Sequence, residues 1–195
     1  MKKVLGILTV VTVLCISSQA MAIPVQWTIA DGGNDHWYEV VAYGDNDTYS
    51  DRLWTIAKTT AEGMGGYLAT ITSAEESAWI NSNLGDLSKY WLGGTDAAVE
   101  GTWTWITGES WGFTAWNFPP EPNDGDSPAI SEDYLGFWST TDGKWNDLPD
   151  DPWTVHTYLM RGYLVESNAV PEPASMILFG SGLFGLLGAR RKFLG

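Results

Sequence analysis

Cysteine is almost missing from this 195-residue chain, and the single one, Cys15, lies in the apolar run near the start. The domain that follows can therefore hold no disulfide, and its core must suffice by itself. Histidine is as scarce: His36 and His156 stand alone, with no cysteine or acid at zinc-like spacing, and read as structural or surface residues. Basic side chains are few as well. Between residues 23 and 169 the five bases Arg52, Lys58, Lys89, Lys144 and Arg161 face 23 acids, which is all 24 of the chain less Glu172, for a net charge of −18. Such a field repels phosphate backbones and excludes nucleic acid as a partner, whereas it invites cations. Outside the central acidic loop the acids read as a solvated surface that maintains solubility. No nucleophile with an oriented base and no hydrolytic carboxylate pair stands in a recognised context, so no enzyme is expected.

Both ends differ from the middle. Lys2-Lys3, the apolar run Val4 to Ile16 and the small residues around Ala20-Met21-Ala22 make residues 1–22 a secretory signal, in a compartment that would permit disulfides. Thr12-Val13-Leu14 lacks the small residue that lipoprotein processing favours before Cys15. At the other end, Val170-Pro171-Glu172-Pro173 precedes the apolar stretch Ala174 to Ala189 and then Arg190-Arg191-Lys192. Sixteen apolar or small residues fall just short of the about 17–25 a spanning helix needs, but flanking bases can snorkel and hold the segment on the cytoplasmic side. Residues 170–195 are accordingly the one membrane-directed part of the chain, and residues 23–169 are expected to form one domain.

Within that domain, Val25 to Ile29 and His36 to Tyr43 flank the turn cluster Asp31-Gly32-Gly33-Asn34-Asp35 and predict a hairpin. Leu53, Ile56, Ala57, Thr60, Ala61 and Met64 recur at helical spacing and predict a helix from Asp51 to Met64, closed by Gly65-Gly66. Tyr67 to Ile71 reads as a strand. Ser73-Ala74-Glu75-Glu76 is a capping box opening a second helix with Trp79 and Ile80 inward. The remainder reads as short strands: Tyr90 to Gly93, Thr102 to Ile106, Phe113 to Asn117, Tyr134 to Ser139, Lys144 to Asn146, and Tyr158 to Glu166. Two early helices and late strands indicate an α+β fold. Of the 12 tryptophans, Trp54, Trp79, Trp91, Trp103 and Trp105 lie where burial is the ordinary fate of large aromatics, and Trp111, Trp116 and Trp138 are left open.

Between Asn117 and Ser131 runs a long Pro, Gly and Asp segment, a length of loop that compact domains keep for function or leave disordered. It opens Glu121-Pro122-Asn123-Asp124, leads into Glu132-Asp133, and is followed by Trp145-Asn146-Asp147. These are hard oxygen ligands of the kind calcium takes, about six to eight at a time. A cis Glu121-Pro122 bond would turn its neighbours toward one point.

Glu-Pro-Asn, Glu-Asp and Trp-Asn-Asp in this order resemble the calcium site of the C-type lectin domain. Trp91-Leu92-Gly93-Gly94-Thr95-Asp96, Gly101-Thr102-Trp103-Thr104-Trp105 and Gly65-Gly66-Tyr67-Leu68-Ala69-Thr70-Ile71 extend the likeness from about Trp37 to Glu166. The resemblance implies two helices with antiparallel sheets and a long calcium-binding loop. It further implies a calcium ion held by Glu121, Asn123, Glu132, Asn146 and Asp147, with Glu121, Asn123, Glu132 and Asn146 also bonding sugar hydroxyls, in the mannose-type rather than the galactose-type pattern. A second calcium is implied at Asp96 and Glu100, with Asp124 and Asp133. Ala61, Tyr134 and Val165 stand at three of the family's half-cystine positions, and more residues than usual separate Asn123 from Glu132, including Asp126. The partners implied are a glycan or exopolysaccharide. The alternative is a calcium-stabilised module that binds protein or serves structurally. The C-terminal segment closely resembles the PEP-CTERM sorting signal of Gram-negative bacteria, which implies transient anchoring in the inner membrane, cleavage by an exosortase-type enzyme, and a final place at the cell surface or in the extracellular matrix. A permanent C-terminal anchor is the alternative there.

Overall fold

The computed structural model describes residues 23–117, 121–124, 131–138, 142–150 and 160–170. The leader, the segment from Pro171 onward, Asp126, His156 and the first residues of the last expected strand, Tyr158 and Leu159, lie outside the described residues.

Among the described residues, eight strands form one sheet. They are β1 (Val25–Gln26), β2 (Trp37–Ala42), β3 (Tyr67–Leu68), β4 (Tyr90–Thr95), β5 (Thr104–Trp105), β6 (Tyr134–Phe137), β7 (Trp145–Leu148) and β8 (Gly162–Ser167). The order is β1-β2-β8-β4-β6-β7, with β3 on β8 and β5 on β4. The expected hairpin is present as β1 on β2, although Ile29–Asp31 closes into a 3-10 turn instead of extending the strand. The pairings are antiparallel, as expected, except that β4 runs parallel to β8, pairing Tyr90 with Gly162 and Trp91 with Tyr163. The strand expected over Phe113 to Asn117 needs correction, because there only Trp116 bridges to Trp145. Its aromatic side chains pack as rings on Trp145, with centroids 5.6 Å away for Phe113 and 5.9 Å for Trp116, in place of a ladder.

Strand β8 is buried along its whole length and divides the core in two. Leu164 faces a cluster with Tyr38, Ile80, Leu92 and the tryptophans of the later strands. Tyr163 and Val165 face the other cluster, with Trp54, Ala57, Ala61 and Trp91. That alternation is the two-residue period of a strand covered on both sides.

Helix α1 (Trp54–Gly63) covers the second cluster with Trp54, Ala57 and Ala61, one stripe at helical spacing. It starts later than expected because Leu53 is extended and Tyr49–Arg52 forms a separate 3-10 turn. It ends as the Gly-Gly pair implies: Gly65 takes φ 83°, and the Gly66 N–H donates to Ala61 O. Helix α2 (Ala74–Asn83) lies on the first cluster through Ile80 and half-buried Trp79. The Ser73 hydroxyl accepts the Glu76 N–H at 3.1 Å, as the capping box requires. The reciprocal arm is displaced, since the Glu76 carboxylate accepts from Thr72 N at 2.7 Å.

The three half-cystine positions are filled by packing. Ala61 and Val165 are buried in the same cluster, and Tyr134 leans against it with its ring 4.6 Å from Trp54. Trp54, Trp91, Trp103 and Trp105 are buried, while Trp111, Trp116 and Trp138 are half-buried.

Candidate metal centre

Three strand ends carry the oxygen-bearing residues. Asp96 follows β4, Glu132 and Asp133 precede β6, and Asn146 and Asp147 lie within β7. The backbone ties the first two ends together, Asp96 N–H donating to Asp133 O at 3.2 Å. Because β4 pairs with β6 and β6 with β7, residues 50 positions apart reach one edge of the sheet.

The loop from Glu121 to Asp124 folds onto Asp147. Its Glu121-Pro122 bond is cis, and the N–H groups of Asn123 and Asp124 both donate to Asp147 Oδ2 at 2.8 Å. Asp124, at φ 54°, passes the connection on: its Oδ1 accepts the Glu132 N–H at 2.9 Å. Asp147, Asn123, Asp124 and Glu132 thus form one hydrogen-bonded run. Asn146 is buried beside them, its amide donating to Asp147 O at 2.6 Å.

The other oxygens gather around Asp96. Carboxylate oxygens of Asp96, Glu100 and Asp133 lie within 4.8 Å of one another. Asp96 Oδ2 accepts the Gly101 N–H at 2.9 Å, which needs the left-handed φ of 74° at Gly101. Burial pushes the Asp96 carboxyl up to about 6; the Gly101 N–H pulls it down, and the charges of Glu100 and Asp133 add to the rise. Of the four residues expected at the second calcium, Asp96, Glu100 and Asp133 come together as a carboxylate group, and Asp124 spends one oxygen on Glu132.

Whether a cation suits these residues can be asked of their unused oxygens. Asp96 Oδ1, Asn146 Oδ1 and Asp147 Oδ1 are each buried without a hydrogen-bond partner. An oxygen so placed costs about 1–3 kcal/mol of lost solvation, and more when it carries charge. Hard anionic and amide oxygens are the set that calcium coordinates. The residues fit the ion.

A second cluster of buried acids escaped the sequence reading. The Tyr38 hydroxyl donates to Glu76 Oε1 at 2.5 Å and lies 3.4 Å from Glu166 Oε1. His36 Nδ1 meets Glu166 Oε1 at 2.5 Å, and Thr70 donates its N–H to Glu166 Oε2, its hydroxyl lying 2.6 Å from Glu109 Oε2 and 3.1 Å from Glu166 Oε2. Here the Glu166 hydrogen bond raises the His36 pKa, and burial raises that of Glu76. Both oxygens of Glu76 and of Glu166 have partners, in contrast to Asp96 Oδ1, Asn146 Oδ1 and Asp147 Oδ1. The only sequence signal was Glu76 within its capping box.

Comparison with known proteins places this geometry. The lectin C-type domain pattern matches residues 50–153, and the PEP-CTERM protein-sorting motif matches residues 169–192. A perlucin-like protein of Mytilus galloprovincialis is 34% identical over 100 residues, which are 49% of this chain and 61% of the mussel protein. A type-2 ice-structuring protein of Brachyopsis segaliensis is 28% identical over 136 residues, 68% of this chain and 69% of that protein. Among solved structures, the C-type carbohydrate-recognition domain of cow CD23, crystallised in the presence of a GlcNAc2Man3 oligosaccharide, superposes with a TM-score of 0.55 at 22% identity, over 70% of this chain and 91% of that one.

Proposed function

Because the chain belongs to the C-type lectin domain family, a family of non-enzymatic binding domains, we propose that residues 23–169 form a calcium-dependent carbohydrate-binding domain with a mannose-type site. Its sorting motif marks it as an exported protein processed at the membrane. We place the mature protein at the cell surface or in the extracellular matrix, released from a transient inner-membrane anchor by an exosortase-type enzyme, with a glycan or exopolysaccharide as partner.

The observation that carries the reading is the set of buried, partnerless oxygens on Asp96, Asn146 and Asp147, next to the loop that Asp147 organises. Glu121, Asn123, Glu132, Asn146 and Asp147 would hold the principal calcium, and Asp96, Glu100 and Asp133, with Asp124 beside them, a second. When bound, calcium supplies coordination positions for adjacent sugar hydroxyls. Glu121 and Glu132 accept hydrogen bonds from those hydroxyls, while the Asn123 and Asn146 amides donate to them. Bonds assisted by charge are short and strong, and they let a shallow site retain a polar ligand.

One observation favours a second reading, a calcium-stabilised module that binds no sugar. The Asn146 amide already commits one of its two hydrogens to Asp147 O, which leaves a single donor for a sugar. A relative that is 28% identical over 136 residues is named for a different task, as an ice-structuring protein.

Calorimetry with mannose and galactose on the wild type and on the double variant Glu121→Gln, Asn123→Asp separates the two. The substitutions keep oxygen ligands and exchange donor and acceptor sides, so a lectin should retain calcium and shift its preference toward galactose-type ligands. Calcium binding by the wild type with no sugar binding at all would leave only the second reading.

A further inference from the structure

Trp54, at the first position of α1, contacts β4, β6 and the segment that leaves β7. Its indole N–H donates to Leu92 O of β4 at 2.7 Å, four residues before Asp96. Its ring lies 4.6 Å from that of Tyr134, which opens β6 directly after Glu132 and Asp133. Its backbone N–H donates to Asp150 Oδ1 at 2.6 Å, three residues past Asp147 on the chain leaving β7. Thr55 N–H reaches the same oxygen at 3.4 Å.

The bond to Asp150 is unusual for a helix start. The cap position, Leu53, has no side chain able to accept, so the first N–H groups of α1 are open. Asp150 fills that role from 96 residues away. A carboxylate at a helix N-terminus satisfies its donors and meets the positive end of its dipole. Leu148, between Asp147 and Asp150, is buried in the same cluster as Trp54.

We propose that Trp54 and Asp150 form a clamp that positions the calcium site: α1 holds the ends of β4, β6 and β7 together, and Asp150 fixes the segment that carries Asn146 and Asp147. The clamp does for this chain, by packing and one capping carboxylate, what a covalent link would do elsewhere. Neither residue coordinates the ion. Their effect is to keep the oxygens of three separate strand ends in place before the ion arrives, which lowers the ordering cost of binding. The proposal rests on the calcium reading, but it also predicts a loop held in the metal-free protein.

The test uses the full chain, with both terminal segments, in mild detergent. Calcium titration followed by calorimetry is combined with amide hydrogen exchange of residues 142–150 in EDTA. Asp150→Ala and Asp150→Asn remove the same charge, but only the second retains an acceptor for the Trp54 N–H. Asp150→Ala should weaken calcium binding about three- to tenfold, the range that loss of a helix cap implies, and should speed exchange at 145–148. Asp150→Asn should stay within about twofold of wild type. Trp54→Phe, which keeps the ring and loses the N–H to Leu92, should weaken binding about threefold, and it decides the matter if Asp150→Ala does not fold. Wild-type affinity and exchange in both Asp150→Ala and Trp54→Phe would overturn the clamp while leaving the calcium reading intact. If the wild type binds no calcium, that reading falls and the exchange data alone judge the clamp: faster exchange in Asp150→Ala upholds it, unchanged exchange overturns it.

Discussion

Removing the Tyr38 hydroxyl should destabilise the domain by an amount that grows with pH. Tyr38 is fully buried on β2, and its hydroxyl bridges α2 and β8 by donating to Glu76 while lying beside Glu166. Phenylalanine preserves the ring packing on Trp79, at 5.4 Å, so Tyr38→Phe deletes the polar contact alone. Glu76 would keep Thr72 on Oε2 and only the long 3.5 Å contact from Asn34 on Oε1. A hydrogen bond to a charged group is worth about 1.5–3 kcal/mol and one to a neutral group about 0.5–1.5. Burial raises the Glu76 pKa above its ordinary 4.5, and the Tyr38 hydrogen bond restrains that rise. A carboxyl raised in the folded state contributes stability that is fully present below its unfolded pKa and is lost as pH rises through the folded one. Tyr38→Phe moves the folded value further up, so its penalty belongs to the ionised form. We expect a deficit of about 2–3 kcal/mol at pH 7.5 and about 1 kcal/mol at pH 4.5. Urea unfolding followed by tryptophan fluorescence, in EDTA at both pH values, measures it. A deficit equal at the two, or larger in acid, would refute the reasoning.

Two further outcomes concern the metal and the termini. At a calcium concentration 100 times its dissociation constant, native-state binding adds about 2.7 kcal/mol, so the melting temperature should exceed that in EDTA by about 5–10 °C; an unchanged melt would reduce the acidic loop to plain surface. Mass spectrometry of the exported protein should find the chain trimmed near Pro171-Glu172-Pro173, whereas recovery of an intact C-terminus ending at Gly195 would favour a permanent anchor.

The parts legible in the sequence were those whose causes are local. The Gly65-Gly66 pair closes α1 because a positive φ is needed just there, and the capping hydroxyl of Ser73 lies three residues from the N–H it accepts. The oxygen-rich segments were legible too, because carboxylates and amides packed into a loop have few other uses. Where the reading failed, the partner was distant or the pattern ambiguous. Phe113 to Trp116 has the composition of a strand, but its rings find Trp111 and Trp145 before the backbone finds a ladder. Glu76 sits at the third position of a helix, where a capping box is the economical reading, and nothing nearby reveals that Tyr38 and Glu166 stand across from it. His36 seemed solitary because Glu166 is 130 residues away. The same holds for Asp150, one acid among three in Asp147, Asp150 and Asp151 until the fold brings Trp54 to it.

The acids of this chain divide by what compensates them, and that division locates the consequence of its charge. Glu76 and Glu166 are as buried as Asp147, yet both oxygens of each have a hydrogen-bond partner, whereas Asp147 Oδ1 has none, so their cluster is complete within the protein. Surface acids such as Glu62 and Asp86 have Lys58 and Arg161 beside them and water on the other side, where an ion pair changes little. At the edge formed by β4, β6 and β7, burial, like charge and missing donors coincide, in Asp96 most plainly. Five bases spread over the domain offer nothing there, and no disulfide holds the strand ends against their repulsion. A cation bound at this edge would therefore offset a cost that no donor among the described residues meets, and through the proposed clamp of Trp54 and Asp150 the relief would extend into the core.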